Sequence, residues 1–318
     1  TEERYRAFLR ARYGGDIGAL NAAYGTGYRD FGALTQPASG DDAQPPRLLL
    51  DWMRFYQEYY AVYFESLFER YRAHGLELPV LANIPQFYDF DVRGRGVFSP
   101  MTSMMFRAFP AHVPRVILGG AYQMRRLDYE NFHDIAITTE VVRMIAAPEV
   151  PSVCAELQTG IMRDRPRLYP QDVELNLKTS VAHGLNGVNA YMFSGGHDEL
   201  ALSAFGSYHE WQAPVTPEGK RRAHFAPIAD FGRQLRTWGG LLSDTRKQCD
   251  LAVGFYAPYY TTEYLSGPGI ERWEWKKLHL FYDGLARLLQ LANLNFTLVD
   301  LERATPDDLR RHPALVVF

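Results

Sequence analysis

Val150–Leu157 reads VPSVCAEL and continues as QTG through Gly160. A short apolar run of this kind suits a strand buried on both faces of a parallel sheet. Its sixth and seventh residues break the pattern, because Ala155 leads directly into the carboxylate of Glu156. Ionised carboxylates are costly to bury, so one placed at the end of an apolar strand needs a partner or a purpose. One structural partner would be Arg163 or Arg165, a few residues downstream. The other reading is chemical, since parallel α/β barrels carry their active sites at the C-terminal strand ends.

Three similar runs flank this one: Leu78–Ile84 (LPVLANI), Arg115–Tyr122 (RVILGGAY) and Leu185–Phe193 (LNGVNAYMF). Successive starts lie 35–37 residues apart, room for a strand, a helix and two loops. Helical patterns fill the gaps. Apolar residues from Leu50 to Tyr71 make one long face that ends near Gly75, and Asp134–Ala147, Asp172–Ala182 and Thr216–Leu242 follow. Pro217 and Glu218 suit the first turn of the last of these. Upstream, Glu2–Tyr13 and Asp16–Tyr24 read as helices broken at Gly14–Gly15, and 36–46 as a Pro/Gly/Asp-rich loop. Strands alternating with helices imply parallel pairing, in an open doubly wound sheet or a barrel. Gly119–Gly120 lies inside a strand and offers close packing rather than a dinucleotide fingerprint.

A second unit begins near Cys249. Asp250–Tyr256, a helix over 271–292, Phe296–Leu301, a short helix opened by Thr305–Pro306, and Ala314–Phe318 give a βαβαβ pattern. The division is therefore 1–245 and 246–318, the second part reading as an incomplete flavodoxin-like domain.

Composition narrows the partners. The chain has 318 residues, 47% of them apolar, and a net charge of −3 without Lys/Arg clusters, which argues against nucleic acid. Membrane is not an expected partner either, because the apolar runs fall well short of the ~20 residues of a spanning helix. Cys154 and Cys249 are far apart and strand-bound, which suits a reducing, cytoplasmic compartment.

The expected strand ends present Asn83 with Gln86 and Phe87, Tyr122 with Gln123, Glu156 with Gln158, and Tyr191 with Phe193. Amides, aromatic plates and one carboxylate suit a sugar, whose hydroxyls need hydrogen bonds and whose faces stack on rings. Each also has a plainer reading: Asn83 as a loop cap, and Tyr122 and Tyr191 as barrel packing. His133–Asp134 reads as a helix cap, and Trp273 and Trp275 as a packing stripe. His197–Asp198–Glu199 lacks the spacing of a metal site, so neither metal nor cofactor is expected.

Two stretches carry a family resemblance. VNAYMFSGGHDE (Val188–Glu199) and GSYHEWQAPVTPEGK (Gly206–Lys220) resemble the eighth-strand region of glycoside hydrolase family 35 β-galactosidases. FLRARYGGDIGALNAAYGTGYRDF (Phe8–Phe31) looks instead like a helical segment of family 42 β-galactosidases, which also carry a flavodoxin-like second domain. Both belong to one clan of retaining enzymes on (β/α)8 barrels. The resemblance implies that Val150–Leu157 is the seventh strand and Glu156 the nucleophile, oriented by Tyr122. It implies substrate contacts from Asn83, Tyr122, Gln123, Gln158, Tyr191 and Phe193. The clan's acid/base is the Glu of an Asn-Glu pair after the fourth strand, and no Asn-Glu pair occurs in this sequence. The expected fold is thus the C-terminal half of a TIM barrel followed by the start of a flavodoxin-like domain, which could assemble homo-oligomers. The expected activity is release of terminal β-linked galactose through a glycosyl-enzyme on Glu156. The alternatives are another sugar within the clan, or a barrel that binds carbohydrate without catalysis. Asp198 and Glu199 are the substitute acids on the chain itself.

Overall fold

A computed structural model describes residues 1–37, 45–84, 103–122, 126–160, 167–199, 202, 206–260 and 267–317. The N-terminal helices come first. Glu2–Arg12 opens on two glutamates and closes on arginines, complementing its dipole. Ile17–Tyr24 is capped by Asp16, whose carboxylate accepts from the Gly18 amide at 2.7 Å. Both pack Tyr5, Leu9, Leu20 and Tyr24 against Leu48, Trp52 and Phe55 of the long helix Pro46–Ala73. Asp51 is fully buried in this cluster. Arg12 at 2.8 Å and the hydroxyls of Tyr13 (2.6 Å) and Tyr24 (3.1 Å) compensate its charge.

Four strands follow in one parallel sheet: β1 (Leu81–Ile84), β2 (Ile117–Tyr122), β3 (Val153–Gln158) and β4 (Gly187–Tyr191). Their spatial order equals their chain order, without the reversal that marks a doubly wound sheet. Ala82, Leu118, Cys154 and Leu157 sink into the core with Ile137 and Val141 of the helix Asp134–Ile145 and Val173 and Leu177 of the helix Pro170–Ala182. The opposite face carries Leu81, Gly119, Val153 and Ala155. A Cβ at Gly119 would lie 3.3 Å from Leu81 Cδ2, Ala155 Cβ and the Val153 carbonyl.

One irregularity decides the site. Cys154 pairs with Val188 and Leu157 with Ala190, three steps on β3 against two on β4. An unbroken alternation would put Cys154 and Glu156 on the same, helix-facing side. The extra residue gives that side to Leu157 instead and turns Glu156 to the other face.

After β4 a short antiparallel pair, β5 (Gly196–His197) and β6 (Tyr208–His209), precedes the helix Phe225–Ser243. The helix expected from Thr216 therefore starts nine residues later. Thr216 and Lys220 close a turn on each other instead: the Thr216 amide donates to the Lys220 carbonyl at 2.9 Å, and the Lys220 amide to the Thr216 hydroxyl at 3.2 Å. Pro217 and Glu218 thus serve a tight turn, with Gly219 at φ +80°.

The second sheet is β7 (Leu251–Phe255), β8 (Phe296–Asp300) and β9 (Leu315–Val317), parallel, with β7 in the middle. The helix expected over 271–292 is a succession of α (Pro268–Lys276), π (Lys277–Ala286) and α (Arg287–Leu291) segments. Trp273 packs on Tyr259, but Trp275 is exposed against His279 rather than part of a packing stripe. The two units share charges. Glu140 accepts from Thr297 Oγ1 at 2.8 Å and from Lys247 Nζ at 3.3 Å, and Arg107 grips both oxygens of Asp300 at 2.7 Å. His133 is the N-cap residue of the helix Asp134–Ile145, its carbonyl accepting from the Ile137 amide at 3.2 Å, but its side chain makes no capping bond: it is buried, with Nε2 3.3 Å from Asp283 and 3.5 Å from Asp134.

Candidate active site

Glu156 stands at the C-terminal end of β3, beside Ala121 of β2. Its Oε1 accepts a hydrogen bond from Asn83 Nδ2 at 2.7 Å, although Asn83 belongs to β1, two strands away. The register explains the reach. Asn83 pairs with Gly119, whose missing side chain leaves the amide a path over β2. The bond fixes the orientation of the carboxylate at the strand end.

Asn189 of β4 braces the same point from the other side, its Nδ2 donating to the Ala155 carbonyl at 2.9 Å. Tyr191 pairs with Gln158, two residues past Glu156. Burial raises its phenol pKa above the ordinary value, and the Glu156 charge raises it further. The Tyr191 carbonyl accepts from the Thr159 amide at 2.7 Å, and the Tyr191–Met192 peptide is cis.

The remaining expected residues fall as follows. Gln158 is buried; its carbonyl accepts from Asn176 Nδ2 at 3.2 Å, and its side-chain amide has no hydrogen-bond partner among the described residues. Phe193 lies past the end of β4, half exposed, with its ring 6.1 Å from that of Phe225. Tyr122 pairs by its backbone with Leu157. Its side chain, and Gln86, Phe87, Gln123, Arg163 and Arg165, lie outside the described residues. Asp198 is engaged by His209 Nδ1 at 3.2 Å, while Glu199 is exposed. Among the described residues no group of three or more His, Cys, Asp or Glu side chains could hold a metal ion, and no helix is long and apolar enough to cross a membrane.

Two contributors escaped the sequence reading. Asn189 sits inside the VNAYMF motif, and its alternation with Tyr191 could have marked it. The Trp211 and Tyr191 rings meet edge to face at 6.4 Å between centroids, and no sequence pattern announces that contact.

Comparison with known proteins gives the family. The model of glycoside hydrolase family 42, described as beta-galactosidase, matches residues 1–238. A model described as GLMA-like, second domain, matches residues 266–318. A beta-1,2-glucosyltransferase of Ignavibacterium album is 26% identical over 98% of this chain and 45% of its own length. An exo-beta-D-glucosaminidase of Pyrococcus horikoshii is 22% identical over 99% of this chain and 39% of its own length. The crystal structure of a beta-galactosidase from Bacillus circulans sp. alkalophilus superposes with a TM-score of 0.75 at 19% identity. It covers 99% of this chain and 44% of that one, a likeness of fold. The chain thus spans less than half the length of each of these proteins. The family 35 resemblance of Val188–Glu199 and Gly206–Lys220 gives way, because the matching model spans both stretches and belongs to family 42. The chain belongs to glycoside hydrolase family 42.

Proposed function

We propose that this chain carries the nucleophile side of a retaining glycosidase that releases terminal β-linked galactose. The observation that carries the reading is the 2.7 Å hydrogen bond from Asn83 to a carboxylate at a parallel strand's C-terminal end. In the proposed reaction a Glu156 oxygen attacks the anomeric carbon while the bond to the leaving oxygen breaks. The product of this step is a glycosyl ester on Glu156. Water then attacks the same carbon, and Glu156 departs as carboxylate with the β configuration restored.

Protonating the leaving oxygen needs a second carboxyl group about 5–5.5 Å from the nucleophile. We assign it to polypeptide preceding Thr1, in four further βα units that close the ring. The chain's share of its relatives' length and the unreversed strand order support this half-barrel reading. The middle position of β7 supports a flavodoxin-like start, whose strand order opens 2-1-3. Around the sugar, Asn83, Tyr122, Gln123, Gln158, Tyr191 and Phe193 are the proposed contacts.

A second reading keeps the glycosyl-enzyme and changes its fate. The relative named as a beta-1,2-glucosyltransferase matches almost the whole chain. A glucosyl group on Glu156 would then pass to a sugar hydroxyl rather than to water. The test of both is one variant and one product analysis on the intact polypeptide. Glu156→Gln is expected to lower turnover by orders of magnitude, with azide restoring it as a product of inverted configuration. Turnover near the parent level would end the proposal. Free sugar against sugar-extended acceptor in the parent's products separates hydrolysis from transfer.

A further inference from the structure

Trp211 and Gln212 are two adjacent residues with an unusual backbone shape. Both lie in the left-handed region, at φ +47° and +50°, and neither is glycine. Side chains with a Cβ resist that region, and such residues persist only where their surroundings hold them. Here the surroundings do. Gln212 Oε1 accepts from the Leu168 amide at 3.0 Å, and the Gln212 carbonyl is gripped by His224 Nε2. The Ala213 amide donates to the Glu210 carbonyl at 2.9 Å, and Glu210 pairs with Arg222 at 2.8 Å. Gly160, just past β3, leaves the space for this turn: a Cβ there would lie 2.9 Å from the Trp211 carbonyl and 3.0 Å from Ala213 Cα.

The clamp aims one object. The Trp211 indole packs at 70° to the Tyr191 ring, with His209 on another side at 5.6 Å. At 9% exposure, its faces are spent on the protein rather than offered to a sugar. His209 is itself fixed by Asp198. Tyr191 in turn pairs with Gln158, two residues past Glu156, and its phenol feels the Glu156 charge.

We propose that Trp211 is a positioning residue: its clamped left-handed turn sets the tilt of Tyr191 and thereby the phenol's approach to Glu156. The inference rests on the reading of Glu156 as the reacting carboxylate, but its test does not need turnover. A 3-fluorotyrosine placed at position 191 of the intact polypeptide reports its ionisation by fluorine NMR as pH is raised. Burial and the Glu156 charge both disfavour the phenolate, so loosening the ring lowers its pKa.

Trp211→Ala is expected to bring the titration down toward that of an ordinary tyrosine, and Trp211→Phe to restore most of the parent value. Should Trp211→Ala fail to fold, Gln212→Gly serves, since glycine accepts the φ but loses the tether to Leu168. It is expected to lower the titration by a smaller step. Folded variants that titrate with the parent overturn the positioning role. Glu156→Gln in the same labelled chain is the separate control. It too is expected to lower the phenol's pKa, and an unchanged value there removes Tyr191 from the Glu156 site whatever Trp211 does.

Discussion

Asn83 is the residue on which the reading of Glu156 turns: the carboxylate is only half-buried, and this one hydrogen bond holds it at the strand end. Hydrogen bonds to charged groups contribute about 1.5–3 kcal/mol, so Asn83→Ala is expected to cost the intact enzyme about 10- to 100-fold in kcat/KM. Asn83→Asp would set a second carboxylate against Glu156. The two would then share a proton, and the acidic limb of the activity profile should move to higher pH. An unchanged rate and profile in both variants would exclude a role for the pair. His112 offers a test away from the site. Its ring nitrogens lie 3.0 Å from Glu65 and 3.1 Å from Glu58 on the long helix. Burial pulls its pKa down, but the two glutamates prevail and raise it above the ordinary value of 6.5. A raised folded pKa means that the contact stabilises fully below the unfolded value and fades as pH climbs through the folded one. The urea midpoint of the parent should therefore exceed that of His112→Gln at pH 6 and approach it at alkaline pH. A gap that ignores pH would mean that the contact is not ionic.

At the scale of elements, the site exists because of a bulge and a glycine. The bulge in β3 turns Glu156 away from the helices, and Gly119 in β2 stands opposite Asn83 without a side chain. Gly119→Val is expected to reproduce the rate loss of Asn83→Ala, since its Cβ alone would meet Leu81, Ala155 and the Val153 carbonyl at 3.3 Å and so push apart β1 and β3, which carry Asn83 and Glu156. Kinetics of the two single variants and of the double variant check this: a double variant no slower than the worse single places both on one route, and independent, multiplying losses would separate them. The strands themselves were legible, because VPSVCAEL and its three counterparts are apolar runs bounded by turn residues. The Glu156 candidate was legible for the same reason, as a charge out of place. The bulge and the Asn83 contact were not, since both depend on how one strand registers against another. Thr216–Lys220 misled because Pro and Glu mark a helix start and a tight turn alike, and the bonds between Thr216 and Lys220 decide which. Trp211 was invisible because nothing about tryptophan favours a positive φ.

On the scale of the whole molecule, buried charge ties the helix Asp134–Ile145 to the second sheet. Glu140, on the helix Asp134–Ile145, and Lys247 are both almost fully buried, and Thr297 of β8 completes the set. Removing one member leaves Lys247 with the Phe296 carbonyl, or Glu140 with Thr297 and Arg143. Breaking a buried pair costs about 3–5 kcal/mol, whereas replacing both with apolar residues is often near neutral. Urea unfolding of Glu140→Leu should show that loss, and Glu140→Leu with Lys247→Met should recover most of it. Equal losses in the single and double variants would assign the stability to Thr297 and the surrounding packing instead.

The central claim is that Glu156 becomes covalently bonded to the sugar. The direct measurement is to incubate the intact polypeptide with 2,4-dinitrophenyl 2-deoxy-2-fluoro-β-D-galactoside, whose leaving group departs with little help from an acid. The corresponding glucoside is run beside it, and the proteolysed protein is mapped by mass spectrometry. The account predicts one fluoroglycosyl group per chain, on the peptide containing Glu156 and lost in Glu156→Gln. A label on a different carboxylate, with Glu156 unmodified, would contradict it.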